Sequence, residues 1–137
     1  EPHLAREKKG ASGKVLIGTV HGDLHDIGKN MVVTMLRGVG FQVVDLGINL
    51  RVEDFVANVE KHRPDILGLS ALLTTTMPEM KKVIDLLVAR GLRSQVKVIV
   101  GGAPVNEKFA RDIGADGYGA DAGSSVDLAR NLMQKKG

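Results

Sequence analysis

The chain has 137 residues, a net charge of +3 and 43% hydrophobic residues, a balance that suits one globular domain with a sizeable core. Its basic residues are scattered and only 3% of all residues are aromatic, so the sequence gives little support to nucleic-acid binding. The lack of cysteine excludes disulfides and thiolate metal sites, and neither an apolar run of about 18 residues nor a secretory signal is found, which predicts a cytoplasmic protein with no membrane partner.

The predicted domain covers residues 14–137. Residues 1–13 are polar and lack apolar periodicity, and we interpret them as a linker from an upstream segment. After them, strand-like apolar runs alternate with helix-like patterns. Strands are predicted at 14–20, 42–46, 65–69, 96–100 and 116–119, and helices at 27–39, 52–62, 77–90, 106–112 and 123–135.

Strict alternation of strands and helices predicts a parallel sheet with helices on both faces. Five strands favour a flavodoxin-like, doubly wound α/β domain with strand order 2-1-3-4-5. In that order the loops after strands 1 and 3 meet at the topological switch point. Open α/β sheets bind their ligands at this point, so these two loops are the first place to look for a site.

The loop after strand 1 carries the most informative motif. Residues 22–30 have the sequence Gly-Asp-Leu-His-Asp-Ile-Gly-Lys-Asn, in which Asp23, His25 and Gly28 match D-x-H-x-x-G. A histidine becomes an oriented metal ligand when its other ring nitrogen is hydrogen-bonded, and Asp23 is placed to accept that bond. A lone histidine near aspartates is usually a solvated loop tip, but the strand before it and the helix after it favour a ligand here.

Three later segments follow strands 3, 4 and 5. The first, 68–76, contains G-x-S-x-x-x-T with Ser70 and Thr74. The second contains Gly101-Gly102, and paired glycines let a flat ligand approach the backbone closely. The third is 118–122. Taken alone, each has an ordinary explanation, such as a capped helix or a tight turn.

The nine-residue string at 22–30 resembles cobalamin-binding domains, and most of all the methyl-carrying corrinoid domains, including that of methionine synthase. The resemblance covers about residues 14–135. It implies a cobalamin or another cobamide as cofactor, with His25 as the lower axial ligand of cobalt in place of the cofactor's own base. That base then lies in the sheet crevice as a tail, the arrangement called base-off/His-on.

The resemblance also implies roles for individual residues. Asp23, His25 and Thr76 are expected to form a hydrogen-bonded relay that controls cobalt ligation. Thr76 stands where methionine synthase has serine; threonine keeps the hydroxyl but adds a methyl group and a stiffer χ1. The expected cofactor-binding residues are Gly22, Asp23, Leu24, His25, Asp26, Ile27, Gly28, Ser70, Leu72, Thr74, Thr75, Gly101, Gly102, Ala103, Tyr118, Ala120 and Asp121.

The function implied is that of a corrinoid protein that carries a methyl group on cobalt between a methyl-donor and a methyl-acceptor methyltransferase. The resemblance leaves open two further partners, a reductive activator and a second copy of the chain. The domain is not expected to turn over alone. Two alternatives remain: the cobalamin domain of an adenosylcobalamin-dependent mutase, and a corrinoid-sensing regulatory module. Mutase domains usually follow the histidine with Asp-Arg-Gly, whereas this chain has Asp26-Ile27-Gly28, which favours methyl transfer.

Overall fold

The computed structural model describes residues 12–136. Five parallel strands form one sheet in the predicted order β2-β1-β3-β4-β5, with the helices on both faces. The elements are β1 (Gly13–Val20), α1 (Ile27–Gly38), β2 (Phe41–Leu50), α2 (Val52–His62), β3 (Ile66–Ser70), α3 (Pro78–Ala89), a 3-10 turn (Arg93–Gln95), β4 (Lys97–Gly101), α4 (Glu107–Ile113), β5 (Gly117–Gly119) and α5 (Ala122–Lys136).

The predicted linker lies almost wholly outside the described residues, since only its last two positions belong to them. Gly13, the last of these, already begins β1. Among the residues that the structure describes, no helix combines the length and the apolar character that crossing a bilayer requires.

The sheet separates two apolar cores, because successive side chains of a strand point to opposite faces. Leu16 and Val20 of β1 pack with buried residues of α2, α3 and α4, including Phe55. Val15 and Ile17 point the other way and pack with α1 and α5. Both faces of the sheet are therefore covered, which explains why the central strands are apolar at nearly every position.

The second strand is longer than predicted. It runs to Leu50, whereas the sequence pattern ends at residue 46, because Gly47 and Asn49 interrupt the apolar run. In the structure this stretch stays paired with β1 through two shifts of register. Glycine inside a strand often marks such a bulge.

Candidate functional site

His25 and Asp23 lie in the short loop that joins β1 to α1. The Asp23 amide donates to the Val20 carbonyl at 3.1 Å, which turns the chain sharply after the strand. The Thr19 hydroxyl donates to the His25 carbonyl at 3.0 Å and closes the loop. As a result the Asp23 side chain is fully buried, while the His25 side chain is 55% exposed at the carboxyl edge of the sheet.

The Asp23 carboxylate holds the His25 ring. Asp23 Oδ1 lies 2.9 Å from His25 Nδ1 and also accepts the His25 backbone amide at 3.2 Å. Because an ionised carboxylate can only accept, Nδ1 carries the proton and Nε2 is left with a free lone pair. This arrangement fixes the tautomer and orients the ring, as in metal-binding histidines.

The second oxygen of Asp23 connects the histidine loop to the loop after β3. Asp23 Oδ2 accepts the Leu72 amide at 2.7 Å, the Leu73 amide at 3.2 Å and the Thr76 hydroxyl at 2.8 Å. Burial by itself raises the pKa of Asp23, but the hydrogen bonds from Leu72, His25 and Thr76 together lower this pKa to about 2. Asp23 is therefore a buried carboxylate that stays ionised at neutral pH.

Thr76 takes part in the same network. Its hydroxyl lies 2.8 Å from Asp23 Oδ2 and 2.9 Å from the Leu73 carbonyl, and the ionised carboxylate is the stronger acceptor for its single proton. The extra methyl group of threonine lies beside Gly22, where an added Cβ would be 3.3 Å from Thr76 Cγ2. Asp23, His25 and Thr76 therefore form one continuous chain of hydrogen bonds.

A cavity of about 260 Å³ opens next to this network, between the carboxyl ends of the central strands and helices α1 and α5. Its wall is mostly apolar and includes Ile17 and Ile99 from the sheet. Glycines on the strands leave room for the cavity because they have no side chain. A Cβ at Gly68 would lie 3.1 Å from Ile17 Cγ1, and one at Gly101 would lie 3.1 Å from the Gly119 carbonyl.

The structure brings together part of the predicted set. The predicted residues that line the cavity are Gly28, Ser70, Leu72, Gly101, Gly102, Ala120 and Asp121. The Asp121 carboxylate also caps α5, because its Oδ1 accepts the Ser124 amide at 2.8 Å. This hydrogen bond lowers the pKa of Asp121 below its ordinary value.

The other predicted residues lie outside the cavity wall. Gly22, Leu24 and His25 are exposed on the loop, and Asp26 is half-buried. Thr74, Thr75 and Ala103 are exposed on the loops after β3 and β4. The side chain of Ile27 is not among those described.

Tyr118, which is predicted to bind the cofactor, does not line this cavity. Its side chain packs against the core formed with α2, α3 and α4. The adjacent Gly119 lines the cavity on the opposite face of the sheet. Because successive residues of a strand face opposite sides, the Tyr118 side chain points away from the face on which α1 and α5 pack.

Sequence reasoning missed several residues of the cavity wall, among them Lys29 and Ser125. Lys29 is buried, and its Nζ donates to Asp45 Oδ1 at 2.7 Å and to Asn30 Oδ1 at 2.9 Å. Burial opposes ionisation of Asp45, yet the hydrogen bonds from Lys29 and from the Gly47 amide lower the pKa of that carboxyl. A buried lysine needs an acidic partner. Asp45 on β2 was the signal in the sequence that could have indicated that Lys29 is buried.

Comparison with known sequences and structures identifies the family. The profile of the family described as "B12 binding domain" matches residues 13–127. The chain belongs to this family. Its cofactor is accordingly a cobalt corrinoid of the cobalamin type. The B12-binding assignment agrees with the residues at the site: a histidine with one free ring nitrogen and a cavity with a mostly apolar wall both lie at the carboxyl edge of the sheet.

Relatives of this B12-binding domain carry names of corrinoid proteins. A corrinoid protein of Desulfitobacterium hafniense is 45% identical over 98% of this chain and 64% of its own length. Dimethylamine corrinoid protein 3 of Methanosarcina mazei is 46% identical over 88% of this chain and 72% of its own length. The structure of the methanol:cobalamin methyltransferase complex of Methanosarcina barkeri contains a chain that is 36% identical, with a TM-score of 0.84 over 97% of this chain and 52% of that one.

This chain therefore spans between about half and about three quarters of the length of those relatives. Residues 13–127, which the family profile matches, hold the whole sheet and the histidine loop.

Acid should destabilise the fold through Asp23. The pKa of this carboxyl falls from 3.8 to about 2 on folding, so its contribution is complete above about pH 4 and is lost as the pH falls towards 2. The shift corresponds to about 2 kcal/mol of unfolding free energy. Denaturant unfolding between pH 2 and pH 5 should show this loss in the wild type and much less of it in Asp23→Asn. Asp26→Asn removes a carboxylate from the same loop but none of these hydrogen bonds, and it should keep the wild-type dependence.

Proposed function

We propose that this chain is a corrinoid methyl carrier that binds its cofactor base-off/His-on. His25 Nε2 is the lower ligand of cobalt, and the nucleotide tail of the corrinoid lies in the cavity beside α1 and α5. The observation that carries the proposal is the pairing of His25 Nδ1 with Asp23 at 2.9 Å, which leaves only Nε2 free on a ring that is 55% exposed. When bound, the corrinoid supplies a cobalt centre that can accept a methyl group and give it up again.

The chain's own residues control the ligand. Asp23, as a buried carboxylate, keeps the proton of the imidazole on Nδ1 and holds the ring in one orientation. Thr76 donates to the other oxygen of Asp23 and so helps to hold this carboxylate against His25. A proton taken up at His25 Nε2 removes the lone pair that binds the metal. The Asp23–His25–Thr76 network is thus placed to favour either the coordinated or the released histidine.

The names of the relatives support methyl transfer over the two alternatives. Dimethylamine corrinoid protein and methanol:cobalamin methyltransferase complex are names from methyl-transfer systems. We therefore propose one methyltransferase that delivers the methyl group and a second that removes it. A reductive activator and a homodimer belong to the same proposal as further partners.

Transfer of a labelled methyl group tests the carrier role. The chain is loaded with methylcobalamin that carries a ¹³C-methyl group and is mixed with a thiol and with a methyltransferase that takes methyl groups from corrinoid proteins to thiols. We expect the label to reach the thiol only when chain and enzyme are both present. A label that stays on the chain under these conditions, or leaves it equally fast without the enzyme, contradicts the carrier role.

The relay predicts graded effects on ligation. Asp23→Asn should weaken the bond between His25 and cobalt by about 10- to 100-fold, the usual effect of removing the residue that supports a metal ligand. Thr76→Ala should act in the same direction but less, because two backbone amides still hold Asp23. The measurement is the ratio of histidine-bound to histidine-free Co(II) by electron paramagnetic resonance. Wild-type ratios in both variants would exclude the relay.

A further inference from the structure

The carboxyl end of β2 contains a bulge next to the histidine loop. Gly18 of β1 pairs with Gly47, and Val20 pairs with Leu50, so two residues of β2 lie opposite a single residue of β1. The second of these two is Asn49, whose φ is 55°. Asparagine adopts this left-handed conformation more readily than most other residues with a side chain.

Asn49 makes two hydrogen bonds to the histidine loop. Its side-chain Oδ1 accepts the Gly22 amide at 2.8 Å, and its backbone amide donates to the Asp23 carbonyl at 3.1 Å. These bonds hold the backbone on either side of the peptide that joins Gly22 to Asp23. The Asp23 carboxylate is held from the opposite direction by the loop after β3. Asp23 is thus fixed both through its backbone and through its side chain.

The bulge is itself anchored. Asp45 Oδ1 accepts the Gly47 amide at 2.9 Å and Lys29 Nζ at 2.7 Å. Lys29 belongs to the first turn of α1, the helix that follows the histidine loop, and only 2% of its side chain is exposed. Asp45 therefore joins the bulge that contains Asn49 to α1, the helix that follows the histidine loop.

We propose that Asn49 is a positioning residue for His25. Gly22 has a φ of 87° and no side chain to restrict it, so without a partner for its amide the loop gains freedom directly before Asp23. The Asn49 hydrogen bonds remove that freedom and keep the Asp23 carboxylate where it can hold His25 Nδ1. The inference deepens the proposed function, since it rests on His25 as the cobalt ligand.

Two substitutions separate the contributions of the side chain and the backbone. Asn49→Gly removes the acceptor but tolerates the left-handed backbone, whereas Asn49→Ala removes the acceptor and strains the backbone. The matched control is Asn58→Ala on α2, where a half-buried asparagine donates to the Asp54 carbonyl one turn earlier. Thermal unfolding of the corrinoid-free variants checks that each is folded.

Two readouts are taken on each variant. In the corrinoid-free protein, hydrogen exchange of the Gly22 amide should become about three- to tenfold faster in Asn49→Gly, the change expected for one lost hydrogen bond. In the cobalamin-loaded protein, the ratio of histidine-bound to histidine-free Co(II) should fall by about the same factor, and further in Asn49→Ala. Asn58→Ala should leave both quantities unchanged.

The outcomes distinguish the positioning role of Asn49 from the ligand role of His25. A wild-type Co(II) ratio in Asn49→Gly, in a protein whose nitrogen signal disappears in His25→Ala, overturns the positioning role and leaves the histidine ligand intact. A nitrogen signal that survives in His25→Ala overturns the ligand assignment, and the role of Asn49 fails with it. A lowered ratio in both Asn49 variants together with faster Gly22 exchange supports the inference.

Discussion

Replacing His25 with alanine should remove the protein nitrogen from the cobalt of the bound corrinoid. The paramagnetic resonance spectrum of the Co(II) form should lose the splitting from an axial nitrogen. Affinity for the corrinoid should fall by more than the roughly 10- to 100-fold that follows from changing a residue that only supports a ligand. The reason is that His25 is the exposed imidazole whose second nitrogen is already bonded to a buried carboxylate.

The neighbouring histidine provides a matched control. His21 is also exposed on the loop after β1, but it does not share the Asp23 carboxylate. His21→Ala should keep the nitrogen splitting and the affinity. Free imidazole added to His25→Ala should restore an axial nitrogen, because it supplies the missing ligand without changing the fold. An unchanged spectrum in His25→Ala would exclude this residue as the ligand.

Filling the cavity from Gly28 should block the nucleotide tail. Gly28 lines the cavity, and a Cβ at this position meets no other atom within 4 Å, so leucine can be accommodated when no corrinoid is bound. Forcing extra methylene groups into occupied space costs about 1–3 kcal/mol, which predicts that Gly28→Leu weakens binding of cobalamin by about 5- to 150-fold. Equilibrium binding followed by visible absorption measures the change.

Two controls isolate the steric effect. Gly38 lies at the other end of α1, is equally free of neighbours and does not line the cavity, so Gly38→Leu should bind cobalamin like the wild type. Cobinamide, a corrinoid without the nucleotide tail, should bind both variants equally. Equal losses of cobalamin and cobinamide in Gly28→Leu would mean that the cavity does not receive the tail.

The sequence determined the architecture because its signals are local. Apolar runs and helical periodicities lie within single elements, and strict alternation leaves a doubly wound parallel sheet as the natural arrangement. The pairing of Asp23 with His25 is also local. A spacing of two residues on a loop lets a carboxylate reach both the amide and the ring of the same histidine, as the distances of 3.2 and 2.9 Å show.

The tertiary structure decided most of what surrounds this pair. The family resemblance indicated Thr76 as a partner of Asp23, and the fold brings the two together across 53 positions of the sequence. The contact between Lys29 of α1 and Asp45 of β2 was not predicted. The side of the sheet that Tyr118 faces, and the bulge that brings Asn49 to the histidine loop, depend on register between strands. A shift of one residue in a strand exchanges its two faces, and no pattern within a single element specifies where such a shift occurs. The sequence alone therefore indicates the Asp23–His25 pair, while the sheet determines which residues contact it.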